Sequence, residues 1–79
     1  MTLSDSNESS GKYIHCNLGV VLEQRSMTLL ELSDRVGVTV ANLSKLKNNR
    51  AKAIRFSTLL AICEVLECTP GDLLSVDES

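Results

Sequence analysis

Apolar residues recur at three- and four-residue intervals through most of this chain, a spacing that places them on one face of a helix. Leu18, Val21 and Leu22 show it first and predict a helix over about residues 16–25. Residues 1–11 are rich in Ser, Asp, Asn and Glu with almost nothing to bury, so we expect a disordered N-terminal arm. The pattern therefore predicts one folded domain over residues 12–75 and a flexible tail over residues 76–79.

The central third of the chain predicts two short helices joined by a tight turn. Thr28, followed three residues later by a glutamate, matches a capping box and predicts the start of the second helix. Gly37 tolerates a positive φ and predicts where that helix ends. Thr39 is expected to cap a third helix over Val40–Lys47, after which Asn49 can take the left-handed conformation. A second helix projecting from such a turn is how many small domains enter the DNA major groove.

Two further helices complete the predicted fold. Ser57 is expected to cap a fourth helix, in which Leu59, Ile62, Cys63 and Leu66 form an apolar stripe. Thr69 and Pro70 predict the start of a short last helix that ends at Leu74. No strand pattern is evident, so the expected fold class is all-α, a compact five-helix bundle.

Charge is distributed unevenly along the chain. The net charge is −2, yet the segment between Arg35 and Cys63 contains six basic residues and no acidic one. A local stripe of one sign is an electrostatic footprint for a polyanion even when the total is near neutral. The alternative is a solvated basic face without a partner. The six basic residues are Arg35, Lys45, Lys47, Arg50, Lys52 and Arg55.

Other chemistries find little support in the residues. Cys16, Cys63 and Cys68 lack the spacing of a zinc site and are expected to be reduced thiols in a cytoplasmic protein, with a redox role as the alternative. No paired acid and base or nucleophile–histidine arrangement is evident, so we expect no enzyme, no metal and no cofactor. The longest apolar run, Leu59 to Cys63, is too short to cross a membrane.

Four segments carry a family resemblance. They are L-x-x-R-V-G-V-T at Leu32–Thr39, N-L-S-K-L-K-N-N-R at Asn42–Arg50, R-F-S-T-L at Arg55–Leu59 and T-P-G-D-L-L at Thr69–Leu74. Together they resemble the Cro/C1-type helix-turn-helix family, the DNA-binding domains of phage repressors and many bacterial regulators. The resemblance implies the five-helix fold of phage-repressor domains, with the third helix in the major groove.

The resemblance also implies a role for each matching position. Base-facing positions on the third helix would be Val40, Ala41 and Lys45, with Asn42 and Ser44 near the groove walls and Thr39 at the helix start. Phosphate-facing positions would be Thr28, Asn48, Arg50, Lys52 and Arg55. Basic side chains at such positions supply salt-sensitive affinity, whereas side chains on the third helix discriminate between bases.

The sequence therefore predicts a transcriptional regulator, expected to be a repressor, that binds double-stranded DNA as a homodimer. The alternative is a helix-turn-helix scaffold that acts mainly as a protein-interaction module, such as an antitoxin or anti-regulator. Its partner would contact an apolar patch of Leu29, Leu30 and Val40, because apolar surface patches often mark protein interfaces. Neither interpretation requires a membrane.

Overall fold

The computed structural model describes residues 11–78, in which two short strands flank five helices. The expected disordered arm of residues 1–11 lies outside the described residues except for Gly11. In chain order the elements are β1 (Lys12–Cys16), α1 (Leu18–Gln24), α2 (Leu29–Val36), α3 (Val40–Lys47), α4 (Phe56–Leu66), α5 (Pro70–Leu73) and β2 (Leu74–Glu78).

The predicted start and end signals of α2 and α3 are confirmed. The Glu31 amide donates to Thr28 Oγ1 at 3.1 Å while the Thr28 amide donates to Glu31 Oε1 at 3.2 Å, so both halves of the capping box are formed. Gly37 follows α2 with φ 75°, and Asn49 follows α3 with φ 62°. Local residue chemistry is therefore enough to set the boundaries of both helices.

An aliphatic core joins all five helices. Leu32 of α2, Leu43 of α3 and Ile62 of α4 are essentially inaccessible to solvent, and side chains of α1, α4 and α5 complete the cluster. Burying a leucine or isoleucine side chain contributes about 1.5–3 kcal/mol relative to leaving it exposed. The orientation of α3 is consequently set by buried Leu43 together with half-buried Leu46, which also packs against the core.

The expected all-α fold class is wrong, because β1 and β2 form a two-stranded antiparallel sheet. Cys16 pairs with Leu74, Ile14 with Val76 and Lys12 with Glu78. Residues 76–78, expected to form a flexible tail, therefore belong to a strand. The helices bring the two distant segments together, and the Asn17 amide donates to the Leu73 carbonyl at 2.7 Å. Residues 11–78 thus form a small α/β helix-turn-helix domain with five helices and one sheet.

Three helix boundaries also differ from the expected ones. Helix α1 begins at Leu18 because Cys16 is already in β1, and α5 ends at Leu73 because Leu74 begins β2. Helix α4 begins at Phe56, with Arg55 rather than Ser57 at the capping position and with no side-chain hydrogen bond at that cap. Strand pairing thus determines two of these boundaries, which local capping signals do not encode. Within residues 11–78, every helix is too short or too polar to traverse a bilayer.

Candidate nucleic-acid interface

Helix α3 lies at the surface with one side anchored in the core. Leu43 is 1% exposed, whereas Ala41, Asn42 and Lys45 are exposed and Ser44 is half-buried. Val40, at the start of the helix, is 38% exposed. The helix therefore presents most of its predicted base-facing positions to solvent.

Both ends of α3 are held by hydrogen bonds. At its start, Thr39 Oγ1 accepts from the Asn42 amide at 3.2 Å. Beyond its end, Asn49 Oδ1 accepts from the Cys16 amide at 2.6 Å, which ties the end of α3 to β1. These contacts restrict the helix before any ligand is bound, and a preorganised surface loses less entropy on association.

The segment between α3 and α4 carries cations that are free to meet an anion. Arg50, Lys52 and Arg55 are exposed, as is Lys45 on α3. Within the described part of the chain, none of these four side chains forms an ion pair. An unpaired cation need not break an existing interaction before it binds a phosphate, so the electrostatic attraction is fully available to a polyanion.

A cleft of about 400 Å³ brings predicted site residues together from both sides of this segment. Thr39 and Asn42 line it from the start of α3, and Arg55 and Thr58 line it from the start of α4. Arg55 therefore borders the same cleft as the first turn of α3, although it lies more than ten residues further along the chain.

Other predicted residues lie apart from this cleft or have existing partners. Thr28 is exposed at the start of α2, where its hydroxyl is engaged with Glu31 in the capping box. Asn48 Nδ2 donates to Ser44 Oγ at 3.2 Å, which links two predicted positions on the last turn of α3. Neither Thr28 nor Asn48 lines the cleft.

The apolar patch expected as an alternative site is only partly exposed. Leu30 is 71% exposed, but Leu29 is half-buried and packs against the core. The accessible apolar surface is therefore contributed by Leu30 and Val40, with Leu29 serving mainly the packing of α2.

Sequence reasoning missed a second apolar surface, on α4. Phe56 is 86% exposed and Leu60 is 60% exposed. They line a largely apolar cleft together with Leu59, Cys63 and Pro70, and we call these five residues the α4 apolar face. The spacing of Phe56 and Leu60 could have indicated this surface, because they lie one turn apart on a helix whose opposite side is also apolar.

The cysteines show no sign of activation. All three are free thiols, and burial raises the pKa of the Cys16 and Cys68 thiols, which lowers the fraction present as reactive thiolate. Among the described residues, no group of three or more His, Cys, Asp or Glu side chains is placed to hold a metal ion.

Comparison with known proteins agrees with this geometry. The family model of the Cro/C1-type HTH DNA-binding domain matches residues 17–79. The chain is 64% identical over 58 residues to the HTH-type transcriptional regulator YozG of Bacillus subtilis (strain 168), covering 73% of this chain and 69% of that protein. The crystal structure of the transcriptional regulator VanUg superposes with a TM-score of 0.71 at 34% identity, over 87% of this chain and 91% of the other.

These similarities span the α2–turn–α3 unit and nearly all of the core. They are similarities to DNA-binding transcriptional regulators, the function class that the exposed helix and its basic neighbours favour. The chain belongs to the Cro/C1-type helix-turn-helix DNA-binding domain family.

Proposed function

We propose that this protein is a sequence-specific transcriptional repressor that inserts α3 into the major groove of double-stranded DNA. The observation that supports this most is the outward face of α3, anchored by Leu43 and flanked by cations that form no ion pair within residues 11–78. The arrangement suits a duplex because a helix fits the major groove while adjacent positive charges reach the phosphates on its edges.

The proposed contacts follow from side-chain chemistry. Lys45 donates to guanine O6 or N7, Asn42 pairs with adenine, and the methyl groups of Val40 and Ala41 meet thymine methyls. Ser44 lies along the groove wall, close to the phosphates. Phosphate contacts come from Thr28, Thr39, Asn48, Arg50, Lys52 and Arg55.

We further propose a homodimer on a two-fold operator. One domain of this size offers few base contacts, and two domains on half-sites about one helical turn apart gain affinity through their linkage. Binding alone is enough for repression, because a dimer bound across a promoter blocks other proteins from that stretch of DNA.

A fluorescence-anisotropy titration against duplex DNA at several salt concentrations tests the phosphate contacts. Replacing both Arg50 and Lys52 with Gln should weaken binding and reduce the slope of log K against log salt by about 1 per lost cation in each domain. Gln24→Glu on α1 lowers the net charge by one unit and is the control; it should leave the slope nearly unchanged, because Gln24 is exposed at the end of α1 and not in the segment between α3 and α4. Binding that is insensitive to salt or to the double substitution would refute the proposal.

Selection of bound fragments from a random duplex library tests the base contacts. Lys45→Ala should relax the preference at one position of each half-site, whereas the phosphate-directed substitutions should weaken all sequences alike. A reporter gene that carries the selected site then distinguishes repression from activation.

The second candidate function is a protein-interaction module that uses Leu30 and Val40. The exposure of Leu30 favours it, since a large apolar side chain on a helix-turn-helix surface suits a protein partner. Loss of biological activity in Leu30→Glu, together with full activity in the Arg50/Lys52 variant, would favour this function over DNA binding.

A further inference from the structure

The turn that ends α4 brings two cysteine side chains together. Glu67 takes a left-handed backbone conformation at φ 53°, and the Cys68 amide donates to the Cys63 carbonyl at 3.0 Å. This hydrogen bond is typical of a Schellman motif, in which the side chains of the two bonded residues commonly touch. The thiols of Cys63 and Cys68 are accordingly in hydrogen-bonding contact, and we call them the thiol pair.

The thiol pair lies at the edge of the core and borders open space on two sides. Cys63 is 6% exposed and lines the cleft of about 360 Å³ on the α4 apolar face. Cys68 is half-buried and lines a recess of about 290 Å³ together with Val21 and Asp72. A small ion can therefore reach the sulfur atoms without opening the core, and the position of Cys68 leaves its side chain room to adjust.

The number and type of ligands restrict which ion the thiol pair can bind. Among residues 11–78, no group of three or more His, Cys, Asp or Glu side chains is placed to hold a metal ion. Structural zinc normally takes four ligands, and calcium and magnesium take oxygen ligands. Soft sulfur ligands select Cu(I), a closed-shell ion that two thiolates can satisfy. Two neighbouring thiols without a third ligand therefore favour Cu(I) over these other ions.

A positive charge is held beside the turn that carries the thiol pair. The Arg25 guanidinium donates to the Leu66 carbonyl at 2.6 Å and to the Glu67 carbonyl at 3.1 Å. Two thiolates that bind one monovalent cation form a complex with a single negative charge. Arg25 therefore stabilises such a complex, against the opposing charge of Asp72.

The protonation of Cys68 favours metal binding over oxidation. Burial raises the pKa of the Cys68 thiol most, the Cys63 thiol and Asp72 raise it further, and Arg25 opposes the rise. Oxidation to a disulfide requires a thiolate, so a protonated thiol is slow to react. A coordinating metal ion instead displaces the thiol proton outright.

We propose that Cys63 and Cys68 form a two-coordinate binding site for Cu(I). On binding, both S–H bonds break, one S–Cu bond forms at each sulfur, and the two protons pass to solvent. Copper and sulfur keep their oxidation states, so the step needs no oxidant. The site lies at the end of α4 and is independent of the proposed DNA contacts.

Competition for Cu(I) between the reduced full chain and a chromogenic Cu(I) chelator, without oxygen, tests the site. The parent protein should take up one ion per chain. Losing even an outer partner of a metal ligand lowers affinity by about 10–100-fold, so Cys63→Ala and Cys68→Ala should each weaken binding by about 100-fold or more. Cys16→Ala is the matched control, because it removes a buried thiol from β1 and keeps the pair.

Two further measurements keep the outcome decisive. Circular dichroism verifies that each variant is folded, and Cys68→Ala carries the conclusion if Cys63→Ala unfolds, because Cys68 is only half-buried. Counting free thiols after the chelator has removed the copper should return the starting number. The proposal is overturned if the parent binds Cu(I) no more tightly than Cys68→Ala, if Cys16→Ala weakens binding equally, or if two thiols are lost as a disulfide.

Discussion

The hydrogen bond between Asn49 Oδ1 and the Cys16 amide gives the sharpest stability prediction. The bond is 2.6 Å long and joins the residue that follows α3 to β1, and Asn49 also has a left-handed backbone at φ 62°. Asn49→Ala removes the acceptor oxygen. It also puts at position 49 a residue that disfavours the left-handed backbone conformation. A partly buried hydrogen bond contributes about 1 kcal/mol, and an unpaired amide costs about 1–3 kcal/mol.

A comparison with glycine separates the two effects. The left-handed conformation costs an alanine about 1–2 kcal/mol, but costs a glycine almost nothing. Asn49→Ala should therefore lower the free energy of unfolding by about 2–4 kcal/mol, and Asn49→Gly by about 1–2 kcal/mol less than that. Asn49→Asp keeps an acceptor oxygen and serves as the matched control.

Thermal unfolding followed by circular dichroism measures these differences. For a domain of this size, 1 kcal/mol corresponds to a change of about 4–8 °C in Tm. We expect the order of Tm to be parent, Asn49→Gly, Asn49→Ala, with Asn49→Asp close to the parent. The reasoning fails if alanine and glycine are equally stable, or if both match the parent.

Two further predictions concern a turn and a cap. Gly37→Ala should lower the free energy of unfolding by about 1 kcal/mol. Gly37 has φ 75°, and a β-carbon there would meet no atom within 4 Å, so the expected loss comes from backbone strain alone. Denaturant unfolding measures the loss, and an unchanged midpoint would contradict the prediction. The hydrogen bonds from the Thr69 amide and hydroxyl lower the pKa of Asp72. The stabilisation by the Asp72 carboxylate is therefore complete above the ordinary carboxyl pKa of about 3.9 and is lost as the pH falls through the lower pKa of the folded state. The difference in Tm between the parent protein and Asp72→Asn should consequently shrink on acidification.

Local signals explain why much of the helical framework could be predicted. The capping box at Thr28, the glycine at position 37 and the asparagine at position 49 act within one turn of chain, where the sequence neighbours are also the spatial neighbours. The strands were missed although Ile14 with Cys16, and Leu74 with Val76, alternate with polar residues. An alternating pattern of only five residues cannot be distinguished from a loop unless the strand that pairs with it is known.

For the candidate interface, sequence alone indicated the basic segment and the helix that carries the proposed base contacts. It could not show that Arg55 lines the same cleft as Thr39 and Asn42, nor that Leu29 packs inward while Leu30 remains outside. It also missed Phe56 and Leu60, because exposure depends on which elements cover a residue and not on its own type.

The sequence by itself determined the helix-turn-helix, since helix boundaries depend on hydrogen bonds and backbone preferences between residues a few positions apart. Only the tertiary structure decided that residues 12–16 pair with residues 74–78, that Asn49 is tied to Cys16, and which side of α4 is left uncovered. Each of these depends on contacts between distant segments. Such contacts form only after the core has brought those segments together, so the pattern within any one segment does not contain them.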